Sequence, residues 1–128
     1  MSTCINIFKP KTEDEIFKNF KCFESRSLEV KLLYACQDNN LLFAKLLLRY
    51  GVNINCLTYD HRTPLMIAVN NYSTNIVKLL INLHANPNIQ DNTGENALDI
   101  AKRKNYTKII FLLSDYIHII NRNYGINR

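Results

Sequence analysis

The chain has 128 residues, 47% hydrophobic and 21% charged, with a formal net charge of +5. This composition suits one domain with a packed core and excludes a largely disordered chain. Glycine and proline occur only three times each, which argues against an all-β protein with many tight turns and favours helices.

The first predicted element is an amphipathic helix near the N-terminus. Thr12 precedes three acidic residues, an arrangement typical of a helix start. Four apolar residues then follow at helical spacing: Ile16, Phe17, Phe20 and Phe23. Because this pattern is out of phase with the periodicity of the rest of the chain, we assign residues 1–25 to a separate segment. Two roles stay open for this helix: it covers the first unit of the neighbouring repeat, or it docks into a groove of a partner.

From residue 26 onward the sequence repeats with a step of 33 residues. The step relates alanines, leucines and pairs of leucines: Ala35, Ala68 and Ala101; Leu32, Leu65 and Leu98; residues 46–47, 79–80 and 112–113. Apolar spacing within each period predicts two short helices with a polar turn between them, as at residues 70–73. Pro87 then prevents the second helix from continuing. Such a helix pair buries its apolar face only by stacking on its neighbours.

The residues within each period resemble those of the ankyrin-repeat family. Residues 63–68 read TPLMIA, similar to the ankyrin signature TPLHxA with Met66 in the histidine position. Residues 51–55 and 85–89 resemble the segment that follows the second ankyrin helix, and residues 91–101 resemble the opening of a last repeat. The resemblance implies an all-α solenoid of stacked helix–turn–helix units with extended hairpin connections. The predicted divisions are a degenerate first repeat, a second repeat, a capping third repeat and a tail: residues 26–57, 58–90, 91–120 and 121–128.

Several residues at the ends of the predicted helices have specific conformational roles. We expect Thr63 to cap a helix with its hydroxyl and Pro64 to occupy the first helical position. Gly51 is expected to end a helix in the left-handed region. His61 and His84 occupy positions where the family usually has glycine, so we expect strain or a reshaped loop at His61.

The third repeat and the residues after it carry features of an end. Three basic residues replace small residues of the inner repeats: Lys102, Arg103 and Lys104. They form either a solvated cap or a contact for a phosphate or an acidic partner. Three isoleucines extend the last helix: Ile117, Ile119 and Ile120. These either pack back on the third repeat, leaving a monomer, or form a dimer contact.

The sequence offers no arrangement typical of catalysis or metal binding. His61, His84 and His118 fall at three different repeat positions, so their convergence on one site is not expected. The four cysteines (Cys4, Cys22, Cys36 and Cys56) lack zinc-site spacing, and Cys36 and Cys56 are expected to be core thiols in a reducing compartment. We predict no enzyme activity, no metal and no cofactor. With no run of about 18 apolar residues and no secretory pattern in residues 1–10, we expect a cytoplasmic protein without a membrane span.

The resemblance implies that a partner protein is bound by a concave surface of hairpin tips and first helices. The residues predicted to line it, by repeat position, are Tyr59, Asp60, Arg62, Asn70, Asn71, Asn92, Thr93, Glu95, Arg103 and Lys104. Tyrosine and arginine are the types that most often anchor interfaces. The expected function is a non-catalytic protein-binding module, an adaptor or an inhibitor. The composition also resembles that of small ankyrin proteins of viruses and intracellular microbes, which act in a host cell. The alternatives are a basic nucleic-acid-binding protein or a self-associating structural protein.

Overall fold

The computed structural model describes residues 28–123, and in that range it contains six α-helices and no β-strand. The helices are α1 (Leu28–Gln37), α2 (Leu41–Arg49), α3 (Pro64–Asn70), α4 (Thr74–Asn82), α5 (Ala97–Arg103) and α6 (Thr107–Asn123). The helix predicted within residues 1–25 lies outside the described residues, as do residues 124–128.

The six helices form two layers of a stack. In the first layer α3 packs between α1 and α5, and in the second α4 packs between α2 and α6. Each first-layer helix also packs on the helix that follows it in the chain. This arrangement confirms the predicted all-α stack of helix–turn–helix units.

The buried core follows the step of 33 residues. Ala35, Ala68 and Ala101 are at most 1% exposed, and their small side chains allow the first-layer helices to approach closely. A second set of equivalent residues fills the other layer: Leu47, Leu80 and Leu113. Because each unit supplies the same residue types at the same depth, one continuous hydrophobic core runs through the stack.

Residues with positive φ also recur at equivalent repeat positions. In the turns between paired helices they are Asn39, Tyr72 and Asn105, with φ of 56°, 54° and 58°. After α2 and α4 they are Gly51 (87°) and His84 (66°), and in the extended connections His61 (64°) and Gly94 (85°). The left-handed conformation predicted for Gly51 is confirmed, and both histidines adopt a conformation that favours glycine.

Side-chain capping differs among the helices. The hydroxyl of Thr63 accepts a hydrogen bond of 3.1 Å from the N–H of Met66, and Pro64 is the first residue of α3, so both predictions are confirmed. Asn96 and Asp99 form a reciprocal capping box at α5. Ser73 occupies the capping position of α4, yet its side chain accepts no such bond.

The last helix is longer than its counterparts in the stack. α6 has 17 residues, whereas α2 and α4 have nine each. The helix continues to Asn123, so residues 121–123, which fall in the predicted tail, are helical. The Tyr116 hydroxyl donates a buried hydrogen bond of 2.7 Å to the carbonyl of Ala85. Within the described residues, no helix combines the length and apolarity needed to cross a bilayer.

Candidate partner-binding groove

A groove of about 470 Å³ runs between α1, α3 and the extended connection that precedes α3. We call it the α1–α3 groove. Its apolar floor comes from Val30, Leu33 and Tyr34 of α1 and Ile67 of α3, with Leu57 beside them. Leu57 keeps 45% of its surface exposed. The groove therefore presents a mainly apolar floor to solvent along the first two units.

One wall of the groove is the first hairpin, residues 58–62. The N–H of Thr58 donates to the carbonyl of Arg62 at 2.9 Å, and the N–H of Arg62 donates back to the Thr58 hydroxyl at 3.0 Å. The same hydroxyl donates to the Asp60 carboxylate. These bonds fix the loop, and Tyr59 projects from it with 97% of its surface exposed.

The second hairpin, residues 91–95, has an aspartate where the first has a threonine, and a threonine where the first has an aspartate. Here the first residue is the carboxylate Asp91, whose Oδ1 accepts from the Thr93 N–H (2.8 Å), the Thr93 hydroxyl (2.6 Å) and the Glu95 N–H (3.1 Å). Burial acts to raise the pKa of Asp91, but these bonds and the Arg62 charge outweigh it, so the pKa is lowered. Asp91 is consequently a buried anion that organises its hairpin.

The side chain of Arg62, at the end of the first hairpin, pairs with carboxylates of both hairpins. Its Nε is 3.7 Å from a carboxylate oxygen of Asp60 and 3.7 Å from one of Asp91. The N–H of Asn92 also donates to the carbonyl of Asp60 at 3.1 Å, which joins the two loops directly. Arg62 was predicted as a partner anchor, and the structure gives it an internal role as well.

Other predicted contact residues also bond within the stack. Arg103 forms two hydrogen bonds to the Glu95 carboxylate, at 2.8 and 3.1 Å. The bond from Arg103 lowers the pKa of Glu95, and the same bond raises that of Arg103. The side chain of Asn71 donates to the Gln37 carbonyl at 3.2 Å. Lys104, one repeat later, donates to the Asn70 carbonyl at 3.3 Å. This repeat position therefore joins each unit to the one before it.

The structure divides the ten predicted contact residues into two sets. Five line the α1–α3 groove: Tyr59, Asp60, Arg62, Asn70 and Asn71. The other five lie on the second hairpin or at the end of α5, and they do not line it: Asn92, Thr93, Glu95, Arg103 and Lys104. Sequence reasoning missed the apolar floor. A usable signal was present, because Tyr34 and Ile67 are one repeat apart on the first helices and Leu57 directly precedes the hairpin.

Within the described residues, neither the basic positions at the end of α5 nor the two cysteines form a comparable site. Lys102 is exposed, whereas Cys36 and Val69 at the same repeat position are fully buried. Cys36 and Cys56 are free thiols in the core. Burial raises the pKa of Cys36 to about 12 and that of Cys56 to about 11, so neither is activated for nucleophilic chemistry. Across residues 28–123, no group of three or more histidine, cysteine or acidic residues is placed to hold a metal ion.

A smaller groove of about 250 Å³ lies between α4 and α6, lined in part by Ile81, Tyr116 and Ile119. Ile119 is 47% exposed, whereas Ile117 and Ile120 are half-buried. Among the three isoleucines of the predicted dimer contact, Ile119 therefore presents the most surface.

Comparison with known proteins places the repeat pattern in context. A family model described as ankyrin repeats, in three copies, matches residues 32–123. A putative ankyrin repeat protein of fowlpox virus is 36% identical over 118 residues, covering 86% of this chain and 34% of the relative. A putative ankyrin repeat protein of Acanthamoeba polyphaga mimivirus is 32% identical over 85 residues, or 63% of this chain and 12% of the relative. An ADP-ribosylation factor GTPase-activating protein of Arabidopsis thaliana is 34% identical over 80 residues, covering 62% of this chain and 10% of the relative. The chain thus spans about a third or less of each of these relatives.

Proposed function

The chain belongs to the ankyrin-repeat family, whose members are generally protein-interaction modules, and from this premise we propose that it binds a partner protein through the α1–α3 groove. The role is non-catalytic, and it suits an adaptor or an inhibitor. We propose that this occurs in a reducing, cytoplasmic compartment, and the buried free thiols of Cys36 and Cys56 support that setting.

The observation that carries the proposal is an apolar floor beside a fully exposed aromatic side chain. Leu57 and Tyr59 are 45% and 97% exposed at the same groove. Tyrosine is enriched among the residues that contribute most to binding, and such residues act best beside a surface that loses water on contact. A partner segment lying in the groove would cover both side chains.

The basic residues predicted to contact a partner bond within the stack. Arg62 and Arg103 lie beside carboxylates, and Lys104 donates to a backbone carbonyl. Phosphate binding draws on cations that are available to the nucleic-acid backbone. These three residues therefore do not favour a nucleic acid as the partner at the predicted site.

Affinity capture from a native lysate tests the proposal with a matched pair of variants. Leu57→Glu places a charge on the groove floor, whereas Leu83→Glu makes the same change at an equally exposed leucine (45%) after α4. We expect the wild type and Leu83→Glu to retain the same partner and Leu57→Glu to lose it. Equal capture by all three proteins would show that the groove is not the binding site.

A second pair of variants distinguishes a loss of partner binding from a loss of folding. Tyr59→Ala removes the exposed ring at the groove, and Tyr50→Ala removes a 71% exposed ring after α2. Only the first should reduce capture, with circular dichroism and melting unchanged in both. Arg62→Ala is a poorer probe, because it also removes the ion pairs with Asp60 and Asp91.

We propose a monomer, and light scattering across micromolar concentrations distinguishes it from a dimer through Ile119.

A further inference from the structure

Resting on the proposed function, we infer that the partner segment places a large apolar side chain on the floor of the α1–α3 groove and a lysine or arginine against Asp60. Two independent features support this assignment: the size and lining of the floor, and the excess negative charge where the two hairpins meet at Arg62. Together they specify the kind of segment that the groove selects.

The floor suits side chains and not a broad protein surface. Leu33, Leu57 and Ile67 supply apolar contacts within a volume of about 470 Å³. Cavities of about 300–1,000 Å³ hold compact apolar ligands. This volume accommodates one or two large side chains of a short segment, such as leucine, phenylalanine or tryptophan.

The charge at the hairpin end of the groove is negative. Asp60 and Asp91 share Arg62 as their ion-pair partner, so the three side chains together carry one excess negative charge. Both separations are 3.7 Å, longer than the roughly 2.7–2.9 Å of a charge-assisted hydrogen bond. The Asp91 side chain is only 2% exposed, whereas that of Asp60 is 41% exposed. Asp60 is therefore the carboxylate that a partner cation can reach.

The residues around Asp60 determine where in the groove a basic partner side chain is favoured. Tyr59 precedes Asp60 in the chain and lines the same groove, and a guanidinium or ammonium group can pack on an aromatic face while it pairs with a carboxylate. Among the residues that line the groove, Asp60 is the only carboxylate, and it lies at the hairpin end. A basic partner side chain is favoured at the hairpin end.

Selection from a random twelve-residue peptide library displayed on phage tests the inference on the full chain. We expect wild-type selections to enrich peptides with lysine or arginine within about three residues of a large apolar side chain. Asp60→Asn should keep the apolar preference and lose the basic one, because asparagine still accepts the Thr58 hydrogen bond without the charge. A basic preference that is absent from the wild type, or that persists in Asp60→Asn, overturns the inference.

The same selections separate this inference from the function on which it rests. Peptides that bind Leu83→Glu but not Leu57→Glu occupy the groove, so a groove-dependent set without basic residues refutes only the charge preference. Peptides that bind both variants equally, or no enriched peptide at all, refute the groove itself and the inference with it.

Titration with two synthetic peptides then measures how much the contact with Asp60 contributes to binding. One selected peptide and its basic-to-glutamine variant are titrated against wild type and Asp60→Asn by fluorescence polarisation. We expect the substitution to weaken binding to the wild type by about 1.4-fold to fivefold, the range of an exposed ion pair. It should change binding to Asp60→Asn by much less. Equal losses on both proteins would overturn the assignment of Asp60.

Discussion

The Nε of Arg62 lies 3.7 Å from Oδ2 of Asp91, and this ion pair joins consecutive hairpins of the stack. Arg62 lines the α1–α3 groove, whereas Asp91 is buried behind it. The residue at the candidate binding surface is thus held in place by a carboxylate from the next unit. Changes at Asp91 should therefore act on the stability of the stack and on the orientation of the groove wall.

Replacing Asp91 by asparagine should lower stability in a pH-dependent way. Asparagine can still accept the hairpin hydrogen bonds but loses the charge that faces Arg62, so we expect a loss of about 1–2 kcal/mol at neutral pH. The pKa of Asp91 is lowered below 3.8 in the folded protein. Its contribution is therefore present above that pH and is lost as the pH falls through the folded value. The difference in unfolding free energy between wild type and Asp91→Asn should shrink below about pH 4.

Urea denaturation at several pH values measures this difference. Asp115→Asn, at an exposed carboxylate of α6, is the control and should follow the wild-type pH dependence. A constant difference between wild type and Asp91→Asn down to pH 2 would show that the Asp91 charge does not contribute.

Replacing His84 by glycine should stabilise the protein. His84 has a φ of 66° and follows α4, at the repeat position where Gly51 follows α2. Glycine adopts this conformation without a steric cost, although it loses more chain entropy on folding, so we expect a net gain of about 0.5–1 kcal/mol. Thermal melting should show a rise of roughly 2–6 °C.

Tyr72→Gly provides a contrasting control for this effect. Tyr72 has a similar φ of 54°, but its ring packs on Tyr106 with centroids 4.7 Å apart. Removing the ring sacrifices that contact, so we expect no gain at this site. A lower melting temperature for His84→Gly would mean that the imidazole makes a contact that offsets its strain.

The step of 33 residues, the helical spacing within each period and the ankyrin resemblance together predicted the stack, since the step identified the equivalent positions in each unit. The same equivalent positions identify the residues that must begin or end a helix. Gly51, Thr63 and Pro64 perform the roles expected of them, because these roles depend on residues close in the chain. The length of α6 follows less directly from the repeat, because this helix has 17 residues where α2 and α4 have nine each. It packs against α4, and Tyr116 bonds to Ala85.

Repeat position placed Tyr59, Asp60 and Arg62 on one hairpin, and the three residues line one groove. Their contact with a partner stays a prediction. Sequence position could not reveal which polar side chains bond to each other. Glu95 and Arg103 were assigned to a partner, yet they form a bidentate ion pair that depends on how the hairpin folds over α5.

Two helix-capping hydroxyls should differ in their contribution to stability. Thr63→Ala removes the hydrogen bond that the N–H of Met66 donates to the hydroxyl, and we expect a loss of about 1 kcal/mol. The Ser73 hydroxyl is buried without a hydrogen-bond partner. Ser73→Ala should therefore stay within about 0.5 kcal/mol of wild type, or be slightly more stable. Urea midpoints at constant slope test both, and equal losses would imply a partner for Ser73.

Tyr116→Phe should loosen α6 from the second unit. The change removes the donor of the 2.7 Å bond to Ala85 and leaves that buried carbonyl unpaired, so we expect a loss of about 1–3 kcal/mol. Tyr106→Phe is the control, because it keeps the ring contact with Tyr72 and should cost less than about 0.5 kcal/mol.

Hydrogen exchange followed by mass spectrometry locates the effect of Tyr116→Phe. In a stack each unit contacts only its neighbours, so protection should fall most in α6 and least in α1 and α2. A uniform loss of protection along residues 28–123 would instead show that the three units unfold as a single cooperative block. In that case the Ala85–Tyr116 bond stabilises the whole stack and not the attachment of its last helix.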